Sequence, residues 1–255
     1  MQGIDIRAAA LQMRSMAALG IRSKTQTLAS GERMRLRTND ALARQLVAEK
    51  WFEPRVREKV REHARSGTTV LDIGANIGYY TVQAATLVGP HGRVVAVEPQ
   101  PAMRHELAAN LALNQLSNVL IVPYALSDRA ETVSFCVPTA GQEAMGSLRF
   151  NARFKTDCEI QVETRSLDEV LESANCSRVD LVKMDAEGAE LLIVRGATRL
   201  FSGPNKPCVV FEAREENCAP FGYQVFDLLK AFWDLGYKLT QIDPENWFAE
   251  VRSSA

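Results

Sequence analysis

The stretch TTVLDIGANIGYYT, from Thr68 to Thr81, decides the fold. Its first part, from Thr69 to Ile73, is β-branched and apolar, which is typical of a strand buried in a parallel sheet. Gly74 follows the strand directly, and Gly78 stands where a helix should begin. A glycine after a strand permits a sharp turn and the close approach of a ligand. The free amides of the new helix then favour a ligand with a negative group, although a plain tight turn can also carry two glycines.

The spacing of these glycines favours one ligand over another. Enzymes that bind nicotinamide dinucleotides use Gly-x-Gly-x-x-Gly, in which the second glycine admits the pyrophosphate. The sequence has Asp72-x-Gly74-x-x-x-Gly78 instead, without a glycine at that position. A nicotinamide oxidoreductase is therefore the weaker prediction.

After Thr68 the sequence alternates between short apolar strands and helices with apolar residues at i and i+4, which predicts a mainly parallel sheet with helices on both faces. The N-terminal third is predicted to be helical, with a first helix over Ile4 to Ile21. Two strands, Thr132 to Val137 and Glu159 to Thr164, are predicted to form an insertion. A hairpin of Tyr237 to Ile242 and Trp247 to Val251 supplies the last two strands.

Acids follow the predicted core strands. Asp72, Glu98, Asp185 and Glu212 end or follow four of them, and Asp128 lies in the loop after another. Because ligands bind at the carboxyl ends of parallel strands, these acids predict a cleft at one edge of the sheet. Glu98 is suited to accept hydrogen bonds from ribose hydroxyls, and Asp128 from an adenine amino group. The alternatives are a surface acid before a helix for Glu98 and a turn acid for Asp128.

Four segments in order, VLDIGANIGYYT, VEPQP, ALSD and DLVKMDAEGAE, resemble the FkbM family of S-adenosylmethionine-dependent methyltransferases. The resemblance implies a Rossmann-like, seven-stranded methyltransferase sheet whose last strand is antiparallel. The sequence is accordingly divided into a helical N-terminal extension or cap over residues 1–66 and a methyltransferase domain over residues 67–255, with a small β insertion at about 130–165. It also implies that S-adenosylmethionine binds at the loop that follows Asp72. Gly74, Asn76 and Gly78 would then line its methionine half. Members of the family mostly methylate hydroxyl oxygens of sugars, glycans or secondary metabolites.

A hydroxyl becomes a good nucleophile when its proton is removed, so the site needs a base or an orienting group. The three histidines are not at the ends of predicted core strands. Asp185 is therefore predicted to act as the general base or to orient the hydroxyl, with Glu187 and Glu212 beside it. A helix-capping role for Glu187 is about equally supported. Asp185 and Glu212 could instead hold Mg²⁺, but the sequence defines no coordination geometry and a metal is the less favoured reading.

Composition places the chain among ordinary globular proteins, with 46% apolar and 24% charged residues. There is no apolar run of about 20 residues such as a membrane span requires. The five cysteines are scattered without a Cys-x-x-Cys pair, which argues against a zinc site or a disulfide framework. A cytoplasmic location is the expectation.

Residues 1–65 hold 14 Lys and Arg against 7 Asp and Glu. A basic segment can meet nucleic acid, which leaves an RNA methyltransferase as an alternative. The aromatic residues that bind single-stranded RNA are not interleaved there, so the charges are expected to solvate helices. A non-catalytic cofactor-binding or assembly protein is a second alternative. The expected partner is a small-molecule or glycan acceptor rather than DNA, and exposed Phe and Met residues near the N-terminus could support a homodimer.

Overall fold

A computed structural model of the chain describes residues 23–37, 41–49, 51–138, 146–149 and 156–252. The strands in chain order are β1 (Ser23–Thr27), β2 (Arg33–Arg37), β3 (Thr69–Ile73), β4 (Arg93–Val97), β5 (Val119–Val122), β6 (Ala125–Leu126), β7 (Glu131–Pro138), β8 (Thr156–Arg165), β9 (Leu181–Met184), β10 (Cys208–Glu212), β11 (Tyr237–Gln241) and β12 (Asn246–Val251). The helices are α1 (Ala41–Glu49), α2 (Pro54–His63), α3 (Tyr79–Val88), α4 (Pro101–Leu113), α5 (Leu167–Ser173), α6 (Glu190–Arg195), α7 (Thr198–Ser202), α8 (Glu215–Cys218) and α9 (Val225–Asp234), with a 3₁₀ turn at Ala219–Phe221.

Seven strands form the central sheet in the order β11-β12-β10-β9-β3-β4-β5. The strands from β10 to β5 are parallel, whereas β12 runs antiparallel to both of its neighbours. The order reverses beside β3, where the chain crosses from one half of the sheet to the other. Ligands bind at such a switch point in open α/β sheets. The predicted sheet and its final hairpin are confirmed.

The sheet separates two apolar cores, as the alternation of side chains along a strand requires. Val70 joins the core under α2, α3 and α4, whereas Leu71 and Ile73 join the core under α5, α6, α7 and α9. By the same alternation Asp72 points toward α3. In the register of the sheet it lies directly opposite Lys183 on β9. Two charged residues are thus adjacent on a buried face.

Helix ends follow local signals. Pro101 occupies the start of α4, where its fixed φ suits a helix and its missing N–H costs nothing. Ser166 caps α5 by accepting from the Glu169 amide, and the Glu169 carboxylate accepts from the Ser166 amide in return. These two caps fix where the chain re-enters a helix after β4 and after the insertion.

The prediction of an entirely helical N-terminal third is wrong, because β1 and β2 form an antiparallel hairpin. Met34 and Leu36 are fully buried, whereas Arg33, Arg35 and Arg37 alternate with them and keep some exposure. That period of two is typical of a strand with one buried face. Asn110 of α4 holds the hairpin by accepting from the Arg35 amide at 2.6 Å. The predicted helix over Ile4 to Ile21 lies outside the described residues.

The insertion lies where the sequence predicts it. β7 and β8 pair antiparallel, and β6 joins them to make a second sheet. Ser147, in the short described segment between them, pairs with Cys136 of β7. This pairing brings residues 146–149 over the carboxyl ends of the central strands.

Candidate functional site

A cleft of roughly 590 Å³, open to solvent, lies at the carboxyl ends of β3, β4 and β9. One end is apolar, and the other holds acidic residues. Its lining comprises Ile73, Gly74, Asn76, Val97, Glu98, Pro99, Gln100, Tyr124, Ala125, Leu126, Phe135, Gly146, Leu148, Asp185, Ala186, Glu187 and Ala189. The predicted position of the site at this edge of the sheet agrees with this cleft.

The loop after β3 forms the floor of the cleft. Gly74 has a φ of +74°, and an ideal Cβ at this position would lie 1.8 Å from the carbonyl oxygen of Asp185. Gly74 and Ala75 both donate their amides to the carbonyl oxygen of Val97, each at 3.0 Å. Asn76 also has a positive φ, of 52°, and its side chain accepts from the Ile77 amide. The loop is therefore compact, and glycine at position 74 is the residue that permits it.

Glu98 lies at the rim of this loop and is only 4% exposed. Its carboxylate accepts from the amide of Asn76 and from the amide of Gln100, each at 2.8 Å. Burial raises the pKa of Glu98 to about 7, and the two amides oppose that rise. Each carboxylate oxygen has a second lone pair, so Glu98 can still accept from a ligand hydroxyl in the cleft.

The apolar end of the cleft combines two parts of the chain. Tyr124 and Leu126 follow β5, whereas Phe135, Gly146 and Leu148 come from the insertion. An ideal Cβ on Gly146 would lie 2.4 Å from the Phe135 ring, so this position is packed against its neighbours. Sequence reasoning missed these lining residues. They suit a flat apolar ring beside Glu98.

The acidic end is built on the turn between β9 and α6 and on the end of β10. The Asp185 side chain is 29% exposed and lies 3.3 Å from the Lys183 ammonium. Asn217 donates to the Glu187 carboxylate at 3.0 Å and to the Glu212 carboxylate at 2.7 Å. Burial, followed by the charges of Asp185 and Glu187, raises the pKa of Glu212 well above its usual range. The three predicted catalytic acids therefore form one electrostatic group.

Lys183 lies beneath this acidic end and was not predicted as a site residue. Its ammonium is 5.1 Å from the centre of the Tyr80 ring. Burial alone would lower the pKa of Lys183, but the charges of Asp185, Asp72 and Glu53 together raise it above its ordinary value. The sequence signal for Lys183 is a single charged residue inside the otherwise apolar strand Leu-Val-Lys-Met, which indicates a buried charge that needs a partner.

Asp72 is buried between β9 and α3 rather than exposed to the cleft. It accepts from the Thr81 hydroxyl at 2.5 Å, and its other oxygen has no hydrogen-bond partner within the described part of the chain. Burial raises the pKa of Asp72, which the Lys183 charge and the Thr81 hydroxyl oppose. Asp72 thus contacts α3 through Thr81.

Three other predicted residues also lie away from the cleft lining. Gly78 has a φ of +90°, and a Cβ there would meet Leu107 of α4, so this glycine permits close packing. Asp128 is exposed and lies with Ser127 and Arg129 in a neighbouring depression. Glu212 is behind Asn217. The cofactor roles predicted for Asp72, Gly78 and Asp128 stay predictions.

The described residues hold no group of three or more His, Cys, Asp or Glu side chains that could bind a metal ion. The suggested magnesium site at Asp185 and Glu212 therefore has no structural support there.

A family model of the methyltransferase FkbM domain matches residues 72–239. The chain belongs to the FkbM methyltransferase family. The match spans the cleft, the insertion and the acidic turn, so the site described above lies within the FkbM domain.

Two curated relatives resemble the FkbM domain. Methyltransferase sdnD of Sordaria araneosa is 31% identical over 158 residues, which cover 51% of this chain and 61% of that protein. Hexuronic acid methyltransferase AglP of Haloferax volcanii is 26% identical over 144 residues, which cover 56% of each. The chain thus spans less than two thirds of the length of either relative.

Solved structures share the fold of the FkbM domain. Cofactor-bound Rv0187 from MTB aligns with a TM-score of 0.51 and 16% identity, over 98% of this chain and 90% of that one. The described helices include none that is long and apolar enough to cross a membrane.

Proposed function

We propose that this FkbM domain is an S-adenosylmethionine-dependent methyltransferase that methylates a hydroxyl oxygen of a sugar, a glycan or a small metabolite. One observation carries the proposal: an apolar pocket with Glu98 and a group of acids meet above Gly74 in a single cleft. The name of AglP, a hexuronic acid methyltransferase, supports a sugar acceptor.

The residues of the cleft fit the proposed cofactor. Glu98 would accept from the ribose hydroxyls, and the apolar end would hold the adenine ring. The compact turn at Gly74 and Asn76 would face the methionine half. When bound, S-adenosylmethionine supplies an electrophilic methyl group on a positively charged sulfonium, and the nearby acids stabilise that charge.

At the acidic end, the partly exposed carboxylate of Asp185 lines the cleft and pairs with the Lys183 ammonium at 3.3 Å. It is placed to accept a hydrogen bond from the acceptor hydroxyl and to take its proton as the new oxygen–carbon bond forms. Glu187 would form the wall beside the acceptor, and Asn217 joins it to Glu212 behind that wall. Alignment of the hydroxyl with the methyl group supplies much of the catalysis in such a reaction.

Replacing Asp185 with Asn should lower methyl transfer by roughly 10²–10⁴-fold, because the amide cannot take the proton. Cofactor affinity should stay close to that of the wild type. The measurement is mass spectrometry of hydroxylated acceptors and glycans with labelled cofactor, together with calorimetry of cofactor binding. Asp234→Asn, on the exposed surface of α9, is the matched control and should behave as wild type. Equal loss of turnover and binding in Asp185→Asn would show a structural role. Binding without transfer by the wild-type protein would instead support the non-catalytic alternative.

The pKa of Glu98, about 7, makes cofactor binding depend on pH. Below pH 7 the free carboxyl is protonated, whereas ribose hydroxyls bind best to the ionised form, so binding must release a proton. Affinity should therefore fall as pH drops below 7, by up to about tenfold per pH unit. Calorimetry from pH 5.5 to 8.5, in buffers that differ in ionisation enthalpy, measures both affinity and proton release. Glu98→Gln should bind the cofactor more weakly and should not show the pH dependence and proton release that come from Glu98. The cofactor's own ionisation affects both proteins equally. Parallel pH profiles of cofactor affinity for the wild type and Glu98→Gln would show that Glu98 does not bind the ribose.

The division into an N-terminal extension over residues 1–66 and a methyltransferase domain over residues 67–255 is part of the proposal. In this view the N-terminal extension and the loop over residues 142–158 select the acceptor, since both have the least motif content. Gly146 and Leu148, in the described part of that loop, line the cleft. The family match over residues 72–239 lies within the proposed methyltransferase domain and supports it. Homodimer formation is a further expectation that sedimentation of the purified chain can test.

A further inference from the structure

A second depression lies beside the cleft and shares Leu148 with it. It is open to solvent and has a volume of roughly 530 Å³. Its walls come from the loop after β6, from the insertion, from α6 and from the 3₁₀ turn, and they include Ser127, Asp128, Arg129, Arg149 and Phe221. The insertion therefore contributes side chains to two adjacent sites.

The depression is directly adjacent to the acidic end of the cleft. Glu187 lines the cleft, whereas the next residue, Gly188, packs against Phe221: an ideal Cβ on Gly188 would lie 2.8 Å from the ring carbon Cε2. The Ser147 hydroxyl donates to the Glu187 carbonyl oxygen at 2.9 Å and accepts from the Arg149 amide at 3.4 Å. Because neighbouring Cα atoms are only about 3.8 Å apart, an acceptor molecule that contacts Glu187 can extend into the depression.

Arg149 brings an uncompensated positive charge to the depression. Its side chain is exposed, and among the residues that the structure describes no carboxylate lies within ion-pair distance of its guanidinium. The guanidinium carbon is 5.9 Å from the centre of the Phe221 ring, which is a cation–π distance. Arg129, by contrast, pairs with Glu131 at 3.2 Å. Of these two arginines, Arg149 is therefore the one whose charge is left for a ligand.

The planar guanidinium of Arg149 is suited to one kind of ligand. Its edge carries a fixed set of N–H donors, which binds a carboxylate through two parallel hydrogen bonds. Asp128 and Glu131 line the same depression and disfavour a polyanion, because a nucleic acid needs several basic contacts to its phosphates. We propose that Arg149 binds a carboxylate of the methyl acceptor, so that the depression selects an acceptor with one acidic group. This inference rests on the proposed function and names the chemical class of its acceptor.

The first test measures binding without added cofactor, which keeps the result independent of methyl transfer. Ligand-observed NMR compares glucuronate, glucose 6-phosphate and glucose as probes. The wild type should bind glucuronate roughly 10–100-fold more tightly than glucose, the range expected for hydrogen bonds to a charged group. Arg149→Gln should bind these two sugars alike, whereas Arg149→Lys, which keeps the charge but not the planar fork, should keep part of the preference. Arg55→Gln, on the exposed surface of α2 beside Glu58, is the matched control and should behave as wild type.

The second test measures turnover of carboxylated acceptors with labelled cofactor. Arg149→Gln should raise the KM for such an acceptor by a factor similar to its loss of binding. Its kcat should stay within about twofold of the wild-type value, because Arg149 contacts a part of the acceptor that does not react and so binds ground state and transition state alike. A fall in kcat with an unchanged KM would contradict this role.

The binding results decide between the carboxylate and other ligands. Equal affinity of the wild type for glucuronate and glucose, or no binding of either, would overturn the proposal, as would an unchanged preference in Arg149→Gln. Tighter binding of glucose 6-phosphate than of glucuronate would assign the depression to a phosphate. Binding of an RNA oligonucleotide that depends on Arg149 and weakens steeply with salt would assign it to nucleic acid. A wild-type protein that prefers glucuronate but transfers no methyl group to any acceptor contradicts the proposed function instead, and leaves Arg149 as a carboxylate site.

Discussion

We expect Gly74→Ala to abolish cofactor binding and to destabilise the fold. The φ of Gly74 is +74°, which costs a residue with a Cβ about 1–2 kcal/mol. The new Cβ would also lie 1.8 Å from the carbonyl oxygen of Asp185, so the turn after β9 must move. Overpacking of this kind costs a further 1–3 kcal/mol or so. Because the displaced turn carries Asp185 and Glu187, the floor and the acidic end of the cleft change together.

Gly67→Ala is the matched control for this substitution. Gly67 has a similar φ of +82°, but an ideal Cβ there has no atom within 4 Å. It should lose only the conformational part, about 1–2 kcal/mol, and should bind the cofactor normally. Chemical denaturation and calorimetry of both variants measure the two effects. Cofactor binding by Gly74→Ala at wild-type affinity would show that the loop does not form the floor of the site.

The central sheet could be predicted from sequence because its signals are local. Thr69 to Ile73 is a β-branched run closed by a glycine, and such runs form buried strands wherever helices cover them. The hairpin β1–β2 carried an equally local signal, in the alternation of Met34 and Leu36 with arginines. An arginine-rich segment is equally typical of the solvent-facing side of a helix, so this alternation does not by itself distinguish a strand from a helix. A period of two over five residues is short, and the N-terminal context favoured helices.

The candidate site was harder to predict, since it depends on which strand faces which helix. Both Asp72 and Glu98 stand at strand ends in the sequence, yet only Glu98 lines the cleft. Asp72 is one residue earlier in its strand than Ile73, so its side chain points under α3 instead of above the sheet edge. Leu148 lies beside Phe135 at the cleft because Ser147 pairs with Cys136 of β7. No local pattern in the sequence encodes such a contact.

The buried pair of Asp72 and Lys183 connects the central sheet with the candidate site. Asp72 and Lys183 are opposite one another because β3 and β9 are neighbours in the sheet, and that adjacency follows from the strand order. An acid in one strand and a lysine in another, far apart in the sequence, each look like a polar interruption of an apolar run. Once paired, they fix the register of the two strands that carry the Gly74 loop and Asp185. The same ion pair thus stabilises the sheet and positions the residues of the candidate site.

Lys183→Met should therefore be strongly destabilising. Removing one partner of a buried ion pair leaves an uncompensated charge and costs about 3–5 kcal/mol. The cost falls on Asp72, which already has one oxygen without a hydrogen-bond partner in the described structure. The loss of stability should be largest at alkaline pH and smaller in acid. Without Lys183 the folded-state pKa of Asp72 is raised further, so protonation of Asp72 at low pH stabilises the folded state of the variant. Equilibrium unfolding at pH 5.5 and pH 8.5 measures the difference.

A second substitution separates the lost charge from the lost packing. Asp72→Asn in the Lys183→Met background removes the unpaired charge and should recover a large part of the stability, whereas Asp72→Asn alone should be destabilising. Lys230→Met, which breaks the exposed pair with Asp234 on α9, should cost less than about 1 kcal/mol. If Lys183→Met were as mild as Lys230→Met, or if Asp72→Asn recovered nothing, the two strands would not be held by this pair. Restored stability without restored methyl transfer is the expected result, since Lys183 also holds Asp185 at the acidic end of the cleft.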